Sequence, residues 1–231
     1  MNSVAMIAAV AASLGQLRDR FVFVGGATLE LLITDPAVLD FRPTTDVDLV
    51  VEVATYGSYA SVEQTLSDRG FTHVVDPAVP ICRWLIGGIN ADVMPTDESI
   101  LGFSSRWYTD VVRSSIAYNL PSGITIRVIA PQFFMATKFE AFRTRGNGDA
   151  RTSYDMEDII AVLDGRPGIE QEIASTSSAV RNFVATEFRQ LEGDTDFQDA
   201  IQGYLAFSPN SATRRERVLS RIATIVQNSA S

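Results

Sequence analysis

Apolar residues near the start of the chain recur at three- and four-residue steps: Ile7, Val10, Leu14 and Leu17. That spacing marks one face of a helix, so residues 4–14 read as an amphipathic core helix. Residues 21–24 are wholly apolar and predict a short buried strand. Gly25-Gly26 follows at once, and residues 27–33 have helix-forming character. After the turn Arg42-Pro-Thr-Thr45 the period changes to two. Val47, Leu49, Val51 and Val53 alternate with Asp46, Asp48, Val50 and Glu52, the pattern of a half-buried strand. A helix is predicted over residues 56–69, stopped by Gly70.

Strands are then predicted over residues 71–75, 81–86 and 89–94. The last two are joined by Gly87-Gly88, a two-residue hairpin signal that sets Arg83 across from Asp92. A second hairpin is expected from residues 115–120 and 124–129 around Pro121-Ser-Gly123. From Pro131, which suits a first helical position, the pattern is helical. Asn147-Gly148 interrupts it, and helices are expected again over 154–163, 168–191, 195–206 and 211–228. The pattern predicts an α+β chain: a small mixed β-sheet with flanking helices over residues 1–129, then a helical part over 130–231.

Composition narrows the chemistry. The chain has 231 residues, 46% of them hydrophobic and 20% charged, ordinary for a globular protein with a real core. Residues 4–14 lack a basic flank and fall short of the roughly 18 apolar residues a membrane span needs. We therefore expect a cytoplasmic protein with no membrane partner. With one cysteine, Cys82, and one histidine, His73, internal disulfides and Cys/His zinc sites are excluded. His73 sits in the apolar run Phe71-Thr-His-Val-Val75 and reads as a strand residue rather than a catalytic base. Any demanding catalysis then falls to carboxylates, a metal, Arg, Lys or backbone dipoles. Eighteen arginines accompany a single lysine, Lys138, and the net charge is −9. That balance argues against an extended nucleic-acid footprint, although Arg143, Arg145 and Arg151, and separately Arg214, Arg215, Arg217 and Arg221, form local basic clusters.

Asp46 and Asp48 head a Val-rich strand, a position that disfavours Asp. Residues i and i+2 of a strand share a face with Cα atoms roughly 6.5–7 Å apart, so the two carboxylates either converge on a divalent cation or form a solvated strand face. The same Asp-x-Asp spacing at Asp194-Thr-Asp196 lies between helices and reads as a cap or loop. Gly25-Gly26 is either a phosphate-binding turn, with Thr28 as an added hydroxyl, or plain geometry. Asp92 either joins the pair as a third carboxylate or pairs with Arg83 across the hairpin, and the two are compatible. Asp155 and Asp158 share a helix face three residues apart and either orient Lys138 toward a triphosphate or form a surface salt bridge with it.

Taken in order, Val24-Gly-Gly-Ala-Thr28, Arg42-x-Thr-x-Asp46-Val-Asp48-Leu and a later strand with Asp92 resemble the DNA-polymerase-β-like nucleotidyltransferase superfamily. Lys138 followed by Asp155-x-x-Asp158 is similar to the AbiEii/AbiGii abortive-infection group, which includes toxins of type IV toxin–antitoxin systems. The likeness is one of motifs over residues 21–163. It implies a nucleotidyltransferase core in residues 1–129 and a helical domain, 130–231, that contributes Lys138 and Asp155 to the site. Gly25, Gly26 and Thr28 would hold the triphosphate of an NTP. Asp46, Asp48 and Asp92 would bind Mg²⁺ or Mn²⁺, and Lys138 with Asp155 would contact the nucleotide. Ala27 stands where many members carry serine, and Tyr154 where the toxin group commonly carries lysine. The implied activity is transfer of a nucleoside monophosphate to an acceptor hydroxyl on a tRNA or other RNA end, a small molecule or a protein. An antitoxin would be a further partner. The alternative is a non-catalytic module of the same fold that serves as a regulatory or partner-binding surface.

Overall fold

Asn2 starts the first helix by accepting a hydrogen bond from the Ala5 N–H at 2.9 Å, the usual device for an orphaned helix N-terminus. The structure is a computed structural model and describes residues 1–38, 42–145, 148–206 and 210–229. Asn147, half of the predicted break, lies outside them. The chain divides into two units: Met1–Glu30 with Arg42–Ala130, and Leu31–Phe41 with Pro131–Ser231. Among the described residues no helix is long and apolar enough to cross a membrane.

The first unit carries α1 (Ser3–Leu14) and a seven-stranded mixed sheet. Its strands are β1 (Phe21–Val24), β2 (Asp46–Val51), β3 (Thr72–His73), β4 (Arg83–Ile86), β5 (Ile89–Pro95), β6 (Ile116–Asn119) and β7 (Thr125–Val128), in spatial order β3-β4-β5-β2-β1-β7-β6. At the centre, β2 runs antiparallel to β1 and parallel to β5. The row Phe23, Leu49, Val93 is fully buried on one face. On the other face Val22 and Val50 are also fully buried. The period-two alternation of β2 therefore holds only at its start. From Val50 onward both faces are covered, and only the Asp46–Asp48 end keeps some solvent access.

Gly87 and Gly88 both take positive φ, 56° and 80°, as a type I′ turn requires. The hairpin places Arg83 opposite Asp92, as the loop length predicted. Gly123, with φ 81°, turns the second hairpin. Residues 27–33 and the stretch between β5 and β6 differ from the sequence expectation. Residues 27–33 form a single 3₁₀ turn, Gly26–Thr28, and a four-residue helix α2 (Leu29–Leu32), because Thr28 bonds back three residues rather than four. The helix expected over 56–69 is α3 (Tyr56–Asp68). Between β5 and β6 the chain forms α4 (Glu98–Leu101) and α5 (Tyr108–Arg113), too short for a periodic signal.

The second unit holds α6 (Pro131–Arg145), α7 (Tyr154–Gly165), α8 (Ile169–Ala174), α9 (Ser178–Leu191), α10 (Thr195–Leu205) and α11 (Ser211–Asn228). The long helix expected over 168–191 is two, α8 and α9, broken at Ser175-Thr-Ser177, where the Ser175 hydroxyl bonds the Glu172 carbonyl. Phe139 meets Phe188 edge to face at 4.8 Å, and Phe134 and Phe142 complete an aromatic core. Segment 31–41 joins this unit through its backbone: Thr34 and Asp35 both donate to the Gly165 carbonyl.

Candidate functional site

In the first unit, register collects the acidic residues on one face. Asp48 pairs with Asp92 on β5, Asp92 with Arg83 on β4, and Asp46 with Asn90. Residues paired across a sheet project to the same side, so Asp46, Asp48, Asp92 and Arg83 share it. Arg83 grips Asp92 with two parallel bonds, Nε to Oδ1 at 2.8 Å and Nη2 to Oδ2 at 2.7 Å. The same Nη2 donates to Asp46 Oδ2 at 3.0 Å, and the Thr44 hydroxyl donates to Asp46 Oδ1 at 3.1 Å. Hydrogen bonding to Asp92 holds the Arg83 guanidinium charged above its ordinary range, against the burial that opposes it. The sequence pointed to Arg83 opposite Asp92. Its reach to Asp46 needs the β2–β5 neighbourhood, which no local pattern encodes.

The glycine turn closes the other side of this row. Because β1 is antiparallel to β2 with Val24 opposite Asp48, the next residue, Gly25, lies against that carboxylate. A Cβ at Gly25 would overlap the Asp48 side chain, and φ there is +68°, so two independent constraints demand glycine. Thr28 is fully buried, and its hydroxyl donates to the Gly25 carbonyl at 2.8 Å. It closes the turn and presents no hydroxyl to solvent. The helix after the turn is only four residues long, so little macrodipole backs the Gly25-Gly26 amides. Cys82, just before β4, is buried. Burial, then the nearby Asp92 and Asp48 charges, push its thiol up to about 12.

The second unit gathers a separate ionic cluster. The Lys138 ammonium lies 3.0 Å from Asp155 Oδ1 and 2.6 Å from Asp158 Oδ2. Arg145 approaches the other Asp155 oxygen at 3.5 Å. Burial alone would push Lys138 down, but attraction to Asp158 and then Asp155 outweighs it, and the ammonium is held above its ordinary value. Asp158, almost fully buried, is the nearer partner.

The basic clusters are internally paired. Buried Asp164 takes Arg214 on one oxygen and Arg217 on the other, while Arg221 donates to the Leu163 and Asp164 carbonyls. Arg215 bonds Gln198, and Arg143 bonds Glu187. Asp194 caps α10 by accepting from the Asp196 and Phe197 N–H groups, so the second Asp-x-Asp is a helix cap. His73 lies in edge strand β3 with its Nε2 2.8 Å from the Ile81 carbonyl oxygen and its ring on Trp84.

No family model and no curated protein matches this sequence. Carboxylate oxygens suit Mg²⁺ or Mn²⁺, and each has a second lone pair, so the contacts to Thr44 and Arg83 do not exhaust Asp46. With Asp48 on the same strand face, Asp46 fits a divalent cation by donor type. Asp92 has both oxygens engaged by Arg83 and a side chain only 9% exposed. Among the described residues no group of three or more His, Cys, Asp or Glu side chains is arranged around one ion position.

Proposed function

We propose that the protein is a Mg²⁺-dependent nucleotidyltransferase of the DNA-polymerase-β-like kind, moving a nucleoside monophosphate from an NTP to an acceptor hydroxyl with release of pyrophosphate. One observation carries this most: the glycine turn and the Asp46–Asp48 strand start, distant motifs in sequence, abut so closely that Gly25 tolerates no side chain beside Asp48. A cation held by Asp46 and Asp48 would draw charge from the phosphate oxygens as the reaction proceeds. Arg83 fixes Asp46 from one side and Thr44 from the other, so that carboxylate is preorganised. Gly25 and Gly26 offer backbone N–H groups for the triphosphate, with Thr28 bracing the turn from within. Assignment to the toxin group, and with it an antitoxin partner, rests on Lys138 and Asp155. Their ion pairing keeps Lys138 charged, as a phosphate contact requires. With the Arg214–Arg221 cluster occupied by Asp164, Asp35, Glu170 and Gln198, the charge argument for an RNA acceptor weakens. A small-molecule or protein hydroxyl is the better candidate.

The test is incubation with α-labelled NTPs, Mg²⁺, total RNA and cell lysate, asking which pool becomes labelled. Asp46→Ala and Asp48→Ala should each lower labelling on the order of 10²-fold or more with an unchanged circular dichroism spectrum. Full turnover in either variant would sink the metal-site assignment. The engagement of Asp92 and Asp46 by Arg83 favours one rival, a non-catalytic module of this fold. Calorimetry that finds no binding of any NTP with Mg²⁺ would decide for it.

A further inference from the structure

Two-metal phosphoryl chemistry places cations about 3.5–4 Å apart between shared carboxylates. Here a positive group already occupies part of that ground. The Arg83 guanidinium spans Asp92 and Asp46, within 2.7 Å and 3.0 Å of their oxygens, from a strand position fixed by the tight Gly87-Gly88 hairpin. A second divalent ion would have to displace a bidentate pair that is mostly shielded from water, where charge-assisted bonds are strongest.

We propose that Arg83 takes the place of a second metal ion, so that Asp46 and Asp48 hold one divalent cation and Asp92 serves as the partner of the guanidinium. This rests on the metal-dependent reading above. It makes Arg83 a positioning residue that sets the metal stoichiometry of the site.

Mn²⁺ titration of the full chain, followed by the electron paramagnetic resonance signal of the free ion, counts the sites without requiring turnover. The wild type should bind one Mn²⁺, lost in Asp46→Asn/Asp48→Asn. Arg83→Met should bind a second Mn²⁺, or bind the first at least about tenfold more tightly. Arg83→Lys should stay at one. Arg83→Gln, neutral but able to donate to Asp92, replaces Arg83→Met should that variant fail to give a cooperative melt. Two Mn²⁺ on the wild type, or unchanged Mn²⁺ binding in the neutral variants, would overturn the role of Arg83 while leaving the Asp46–Asp48 site standing. Absence of any Mn²⁺ sensitive to Asp46→Asn/Asp48→Asn would remove the metal site itself, and the inference with it.

Discussion

Cys82 shows how a single side chain reports on the site without taking part in it. Its thiol is buried beside Asp92 and Asp48, and its ionisation is pushed from the ordinary thiol range up to about 12. The unfolded chain loses this proton first as pH rises, so the native preference for the neutral thiol is fully present below the unfolded pKa. It is lost between that value and about 12. Urea midpoints of wild type and Cys82→Ala should therefore converge progressively above about pH 9, and a thiol-reactive dye should label Cys82 only on unfolding. A constant gap between the two proteins across that range would show that Cys82 ionisation is not coupled to folding. Individual residues were unevenly legible. The capping role of Asp194 followed from its place between helices, and Arg83 opposite Asp92 from the loop length. Thr28 was not readable as a turn brace, since a hydroxyl beside a glycine pair is equally suited to a ligand until its burial is known.

At the level of elements, α11 shows what sequence charge conceals. Arg214, Arg217 and Arg221 recur at three- and four-residue steps, so they share one helix face. That stripe converges on fully buried Asp164 near the end of α7, with Asp35 and Glu170 at its flanks. Removing one member of a buried ion network strands its partners, at a cost of about 3–5 kcal/mol. Asp164→Asn should lower stability by that order in a denaturant titration, and Asp164→Leu/Arg214→Met/Arg217→Met should recover most of it. A shift below about 0.5 kcal/mol for the single variant would show the network to be energetically idle. β2 was readable from its period, and β4 and β5 from the two-residue glycine turn that joins them, whereas the strand expected over 71–75 pairs only at Thr72–His73. The split of α8 from α9, and the short α4 and α5, were not readable, because fewer than two helical turns leave no period to detect.

Across the whole chain, an acidic protein with eighteen arginines invites the idea of a basic surface for nucleic acid. Most arginines of the two candidate clusters are committed to carboxylates of their own unit, including Glu187, Asp155, Asp196, Asp164 and Asp35. We expect no shift of labelled tRNA in a gel at about physiological ionic strength. Binding whose affinity falls steeply with salt would instead reveal a phosphate-contacting surface. That segment 31–41 belongs with the helical unit is a long-range property. It depends on backbone bonds to Gly165, which leave no trace in local composition.

The Gly87-Gly88 hairpin fixes more than a turn. Side chains alternate along β4, with Arg83 on the acidic face and Trp84 buried on the other. Adding one residue between Ile86 and Ile89 would slip this strand by one step and exchange the two. A guanidinium would enter the apolar core and an indole would face Asp92. The loop sequence can vary wherever positive φ is allowed, yet its length is an address. Among descendants of this chain, Asn or Asp at the two glycines is a tolerable change, whereas a single-codon insertion there would relocate the counter-ion of the site.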